Sequence, residues 1–142
     1  MKTFILSLAI SLLTVVTQAQ GVLPKSKSAE GARAYIISPA NGEVVGTSVK
    51  IQFGLSGMGV APAGVKLENT GHHHLLINVK DLDFSKPIPA SKNHIHFGGG
   101  QTESLVELPP GDYSLQLVLG DMTHTPHTPP VVSRQINITV KD

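Results

Sequence analysis

Cysteine is absent from all 142 residues, which removes disulfides, thiolate metal sites, thiol catalysis and the lipid-anchored type of secretion signal. Tryptophan is missing as well. Two Tyr and four Phe make up the aromatic complement, too few for the stacking platform of a sugar-binding surface. Neither charge sign prevails, with 11 Lys and Arg against 10 Asp and Glu and a formal net charge of +1. No basic stripe offers a nucleic-acid surface, and no acidic run offers a solvated arm. Beyond residue 19 no apolar stretch approaches the length of a membrane span. No Gly-x-Ser-x-Gly elbow and no His-Glu-x-x-His helix occurs, and Gly98-Gly99-Gly100-Gln101-Thr102 lacks the Lys and the spacing of a phosphate loop.

What is present begins with a positive start at Lys2, an apolar run over residues 4–16 and the small-residue site Thr17-Gln18-Ala19. That pattern predicts a cleavable signal peptide over residues 1–19 and a periplasmic or secreted protein. The 123 residues left from 142 suit one domain. Loss of Lys2 also leaves ten cationic side chains against ten anionic ones. Residues 20–34, rich in Lys, Ser, Ala and Gly with no lasting period, are expected as a flexible leader. The domain is expected over residues 35–142.

Within the domain the period is two. Val49, Ile51, Phe53 and Leu55 alternate with polar or small residues. So do Tyr113, Leu115, Leu117 and Leu119, and then Ile136, Ile138 and Val140. Turn signals such as Ser38-Pro39-Ala40-Asn41-Gly42 and Pro109-Pro110-Gly111-Asp112 separate the runs. Residues 81–93 hold two X-Pro steps and are expected as a long surface connection whose charges, Asp81, Asp83, Lys86 and Lys92, are solvated. About seven short strands without helical periodicity predict an antiparallel immunoglobulin-like β-sandwich.

All seven histidines fall between positions 72 and 127, and imidazole is the commonest protein metal ligand. Residues two apart on a strand share a face, at about 6.5 to 7 Å between Cα atoms, close enough for two rings to reach one ion. His72 with His74 forms one such pair and His94 with His96 another. His124 and His127, in a Pro-rich loop, could close the site from above. His73 has the parity of Leu75 and Ile77 and is left out of the set. An all-imidazole site suits copper, zinc or nickel rather than calcium or magnesium, which prefer oxygen. Met58 and Met122 tilt the choice toward copper. The competing reading is a hydrogen-bond network among histidines and nearby carboxylates, Glu68, Glu103 or Asp121, that fixes loops without an ion.

Gly57-Met58-Gly59-Val60-Ala61-Pro62-Ala63-Gly64, Asn69-Thr70-Gly71-His72-His73-His74-Leu75-Leu76-Ile77, His94-Ile95-His96-Phe97 through Glu103, and Leu119-Gly120-Asp121 through Val131 together resemble a bacterial secreted His-rich domain family of unknown function. The resemblance implies a single cell-envelope domain and assigns no catalytic residue. The sequence thus predicts a metal-binding domain for storage, delivery or protection, with a metal ion and an unidentified envelope protein as partners. An interaction module with structural histidines stands second. A metal-dependent enzyme assisted by Glu103 or Asp121 stands third.

Overall fold

The computed structural model describes residues 25–142, so the expected signal peptide lies outside the described residues. Among them there is no helix, and nine strands follow one another: β1 (Arg33–Ser38), β2 (Val44–Val45), β3 (Ser48–Ser56), β4 (Gly59–Val60), β5 (Thr70–Ile77), β6 (His94–His96), β7 (Glu103–Glu107), β8 (Gly111–Gly120) and β9 (Ile136–Val140). Seven have three residues or more. Among the described residues no helix is long and apolar enough to cross a membrane.

Two sheets result. One is ordered β1-β3-β7; the other is ordered β2-β9-β8-β5-β4, with β6 also paired to β5. Pairing is antiparallel except for β2 on β9 and β4 on β5. Side chains of alternate parity fill the space between the sheets. Val49, Ile51 and Phe53 of β3 meet Leu75 and Ile77 of β5, Leu115, Leu117 and Leu119 of β8, and Ile138 and Val140 of β9. The three β8 leucines have no exposure at all, and burial of each stabilises by roughly 1.5–3 kcal/mol. At the start of β8 the Tyr113 hydroxyl donates to the Pro109 carbonyl at 2.8 Å. That tether, and the strand order of the two sheets, match the immunoglobulin-like sandwich.

Two sequence expectations need correction. Residues 25–34 do not form a loose leader. Thr128 N donates to Ser26 O at 2.9 Å, Ser28 N donates to Thr128 O at 3.2 Å, and Ala34 is buried within β1. Residues 81–93 keep Asp81, Asp83, Lys86 and Lys92 exposed, as expected, but they are more than a surface connection. Ile88 is buried with Leu76 and Val118, and Val79, Leu82, Phe84 and Val132 pack against them. This second cluster covers the outer face of β5 at Leu76, and every residue of the strand from Gly71 to Ile77 is buried.

Candidate metal centre

His72 and His74 occupy the outer face of β5 because Leu75 and Ile77, with His73 beside them in parity, turn into the main core. Strand β6 brings the third ring. His96 lies directly across from His74 in the antiparallel register, and its neighbour Phe97 anchors the inner side, 5 % exposed and 4.6 Å from the Phe53 ring. With Phe97 inward, His96 must face out. The fourth ring, His124, comes from the loop after β8.

Ring centroids stand 4.7 Å apart for His72 and His74, 5.0 Å for His74 and His96, 4.9 Å for His72 and His96, and 4.5 Å for His96 and His124. One nitrogen from each of the four rings lies within 4.8 Å of the others. Two glycines make the approach feasible. A Cβ at Gly120, opposite His72 in the sheet, would sit 2.5 Å from His74 Cε1. One at Gly98 would sit 2.3 Å from His96 Cε1.

The loop is shaped by Asp121, which is 4 % exposed. Its Oδ1 accepts from Thr123 N at 2.9 Å, Thr123 Oγ1 at 2.7 Å and Thr125 N at 3.1 Å, while Oδ2 accepts from Ser26 Oγ at 2.8 Å. Burial alone would raise the Asp121 pKa, but these donors outweigh it and hold the carboxyl below its ordinary range. His124 itself adopts a left-handed backbone, φ 64°.

Electrostatically the cluster favours neutral rings. Burial, then repulsion from His96 and His124, lowers His72 to about 4. Burial, then His72, His96 and His124, lowers His74 to about 3. His96 is lowered by desolvation and by His124. Neutral imidazole is the form with a free lone pair, so His72, His74 and His96 are ready to bind a cation near neutral pH. One hydrogen bond links the rings, His72 Nε2 to His124 Nδ1 at 3.1 Å. The Nδ1 atoms of His72 and His74 are buried with no partner.

A model for the family described as Domain of unknown function (DUF4399) matches residues 51–141. The chain belongs to this family. No curated protein and no solved structure matches it. The matched span of this DUF4399 chain contains all seven histidines, and the fold sorts them into three groups.

His72, His74, His96 and His124 converge. His94, expected beside His96, stays outside: its register partner is Leu76, two pairs along from the His74 and His96 pair, and its Nδ1 bonds the Ser91 hydroxyl at 2.9 Å. His127 also stays outside. It is 1 % exposed, with Nε2 3.1 Å from the Thr70 carbonyl and Nδ1 3.4 Å from that of Leu119. His73 is the third case, buried 5.3 Å from the Phe53 ring with both ring nitrogens unpartnered. Burial holds it neutral, its pKa lowered to about 4.

The other candidates fall elsewhere. Met58 packs against the main core. Met122 lines a surface cavity of about 400 Å³ with His127 and Asp121. Glu103 lies on the opposite sheet, 3.2 Å from Lys50 Nζ and 3.0 Å from Gln52 Nε2. The sequence pattern did not single out Gly98 and Gly120. Their one signal was their place beside histidines in strand and turn.

Proposed function

We propose that this DUF4399 protein binds a d-block metal ion, copper first and zinc second, through His72, His74, His96 and His124. Its role is storage, delivery or protection in the periplasm or outside the cell. The observation that carries the reading is the convergence of four imidazole nitrogens within 4.8 Å from three separate segments of the chain. Metal–nitrogen bonds of about 2.0–2.1 Å in a tetrahedron place the nitrogens about 3.3 Å apart, so small ring rotations suffice. His94 and His127 leave the ligand set.

A purely structural hydrogen-bond network explains the cluster less well. Such a network needs each buried nitrogen paired, and the two Nδ1 atoms of His72 and His74 lack partners. An ion with an assisting carboxylate base is supported less again. Glu103 is engaged on the other sheet, and both Asp121 oxygens already accept hydrogen bonds.

The test is titration of the mature chain with Cu(II) and with Zn(II), beside a His74→Ala/His96→Ala variant and a His94→Ala control. Tight, equimolar binding by the wild type and the control, lost in the double variant, is expected. Binding to the native state should also raise the melting temperature in proportion to the logarithm of free metal. Equal weak binding by all three proteins would remove the proposal.

A further inference from the structure

Three of the four converging rings are borne on hydrogen-bonded strands, and the fourth is not. His124 sits in a loop whose shape depends on one carboxylate, and that carboxylate is held from the far end of the sequence. Ser26 Oγ donates to Asp121 Oδ2 at 2.8 Å across 95 positions. The same segment brackets the other end of the loop. Thr128 N donates to Ser26 O at 2.9 Å, and Ser28 Oγ donates to Pro129 O at 2.8 Å. It also reaches the neighbouring connection, where Lys25 Nζ donates to Phe84 O, and that connection is tied to the site by Ile88 N donating to His124 O at 2.8 Å.

His124 needs such support. A non-glycine residue at φ 64° is held there only when its surroundings over-determine it. The Asp121 acceptor network supplies that restraint on one side and Ile88 on the other.

We propose that residues 25–28 and Asp121 form a clamp that keeps His124 over the other three imidazoles, making Ser26 and Asp121 positioning residues for metal retention. The inference rests on the metal-binding reading. His72 and His74 form the fixed floor of the site. His124 forms its gate, and metal leaves when the loop of residues 121–125 swings away. Exchange with a metal donor or acceptor is then set by the clamp rather than by the sheet.

Ser26→Ala is the clean probe, because it removes one donor without changing charge. Asp121→Asn is the stronger one, and it also removes the negative charge that His72 senses. Two measurements on the mature chain separate the claims. The first is amide hydrogen exchange of Thr123, His124 and Thr125 without metal, expected to quicken in Ser26→Ala by about ten-fold, the size of one hydrogen bond to a charged group. The second is the rate of Cu(II) release to a chelator from the wild type, Ser26→Ala, His124→Ala and the Ser26→Ala/His124→Ala double variant.

Release should quicken several-fold in Ser26→Ala, while the double variant releases no faster than His124→Ala alone. An equal acceleration with and without His124, or faster loop exchange with unchanged release, overturns the gate. Should the wild type take up neither Cu(II) nor Zn(II), the metal reading falls and metal retention with it. The exchange data then decide whether residues 25–28 hold the loop at all.

Discussion

Replacing Gly98 by alanine should remove metal affinity while leaving the fold intact, because the three atoms nearest the added methyl all belong to the His96 ring, which can turn away. A Cβ there lies 2.3 Å from His96 Cε1 and 2.6 Å from Nε2. Carbon–carbon contacts settle at about 3.5–4.0 Å, so the ring must retreat by more than about 1 Å. A metal–nitrogen bond tolerates about 0.2 Å, so His96 ceases to be a ligand. Gly98 lacks a left-handed φ, so alanine adds no backbone strain. His96 is solvent-exposed and can turn into water. Stability should therefore change by less than about 1 kcal/mol. Affinity should fall by more than the roughly 10–100-fold that disturbing an outer partner of a ligand costs. Gly120→Ala is the contrasting case. There the methyl would meet His74, which is 1 % exposed and cannot turn away, so overpacking should cost about 1–3 kcal/mol of stability as well as metal. Competition against a chromophoric chelator gives the affinities, and urea unfolding without metal gives the stabilities. Wild-type affinity in Gly98→Ala would refute the reasoning, since the placement of His96 beside that glycine would then be immaterial.

The remaining expectations concern the other histidines and pH. His94→Ala should leave both metal affinity and urea midpoint close to wild type, because its ring bonds only Ser91 at the surface; a large loss of affinity would return it to the ligand set. His127→Ala should cost about 2–4 kcal/mol through cavity formation and two carbonyls left without their ring contacts, with little effect on metal binding after correction for folding. His73→Leu should stabilise the metal-free protein by about 1–3 kcal/mol, since it replaces a fully buried ring whose two nitrogens have no partner; destabilisation would show that His73 is satisfied in solution. The folded-state pKa values of His72, His73 and His74, about 4, 4 and 3, lie below the unfolded value of about 6.5, so acid protonates the unfolded chain first. Stability should be complete above pH 6.5 and fall between there and about 5, where carboxylates are still silent, at up to ~1.4 kcal/mol per pH unit for each histidine. A flat urea midpoint from pH 7 to 5 would contradict the burial. The same shifts move the acid limit of metal binding below the 6.5 expected of free imidazole.

The sheets were legible in the sequence because side-chain period and burial coincide in β3, β8 and β9. Leu115, Leu117 and Leu119 alternate with polar or outward residues and are all fully buried. β5 was harder. Leu76 breaks its alternation, since a second apolar cluster under residues 79–88 buries the outer face too, and no local pattern announces a loop folding over a strand. The convergence of His72, His74 and His96 followed from strand spacing, given that β5 and β6 pair. His94 shares that spacing and still fails, because register sets it against Leu76. Parity assigns a face; it does not assign a distance along it. His124 was one of two loop candidates. The choice depended on Asp121 and Ser26, 95 positions apart, a contact that spacing cannot foretell.

The same division between fixed and movable parts bears on which ions the site can hold. His72 and His74 are buried and held neutral, and Asp121, the carboxylate that His72 senses, spends both oxygens on four hydrogen bonds from the loop and Ser26. A divalent ion held there gains little from charge neutralisation and is held by nitrogen lone pairs. Calcium and magnesium bind through charged or carbonyl oxygens, and magnesium gives up water reluctantly, so neither gains enough here to replace its hydration. Copper and zinc form strong bonds to imidazole, with copper at the top of the divalent series. Millimolar Ca(II) or Mg(II) should accordingly leave Cu(II) and Zn(II) binding unchanged. Effective competition from either would mean that oxygen ligands, and not the four imidazoles, hold the ion.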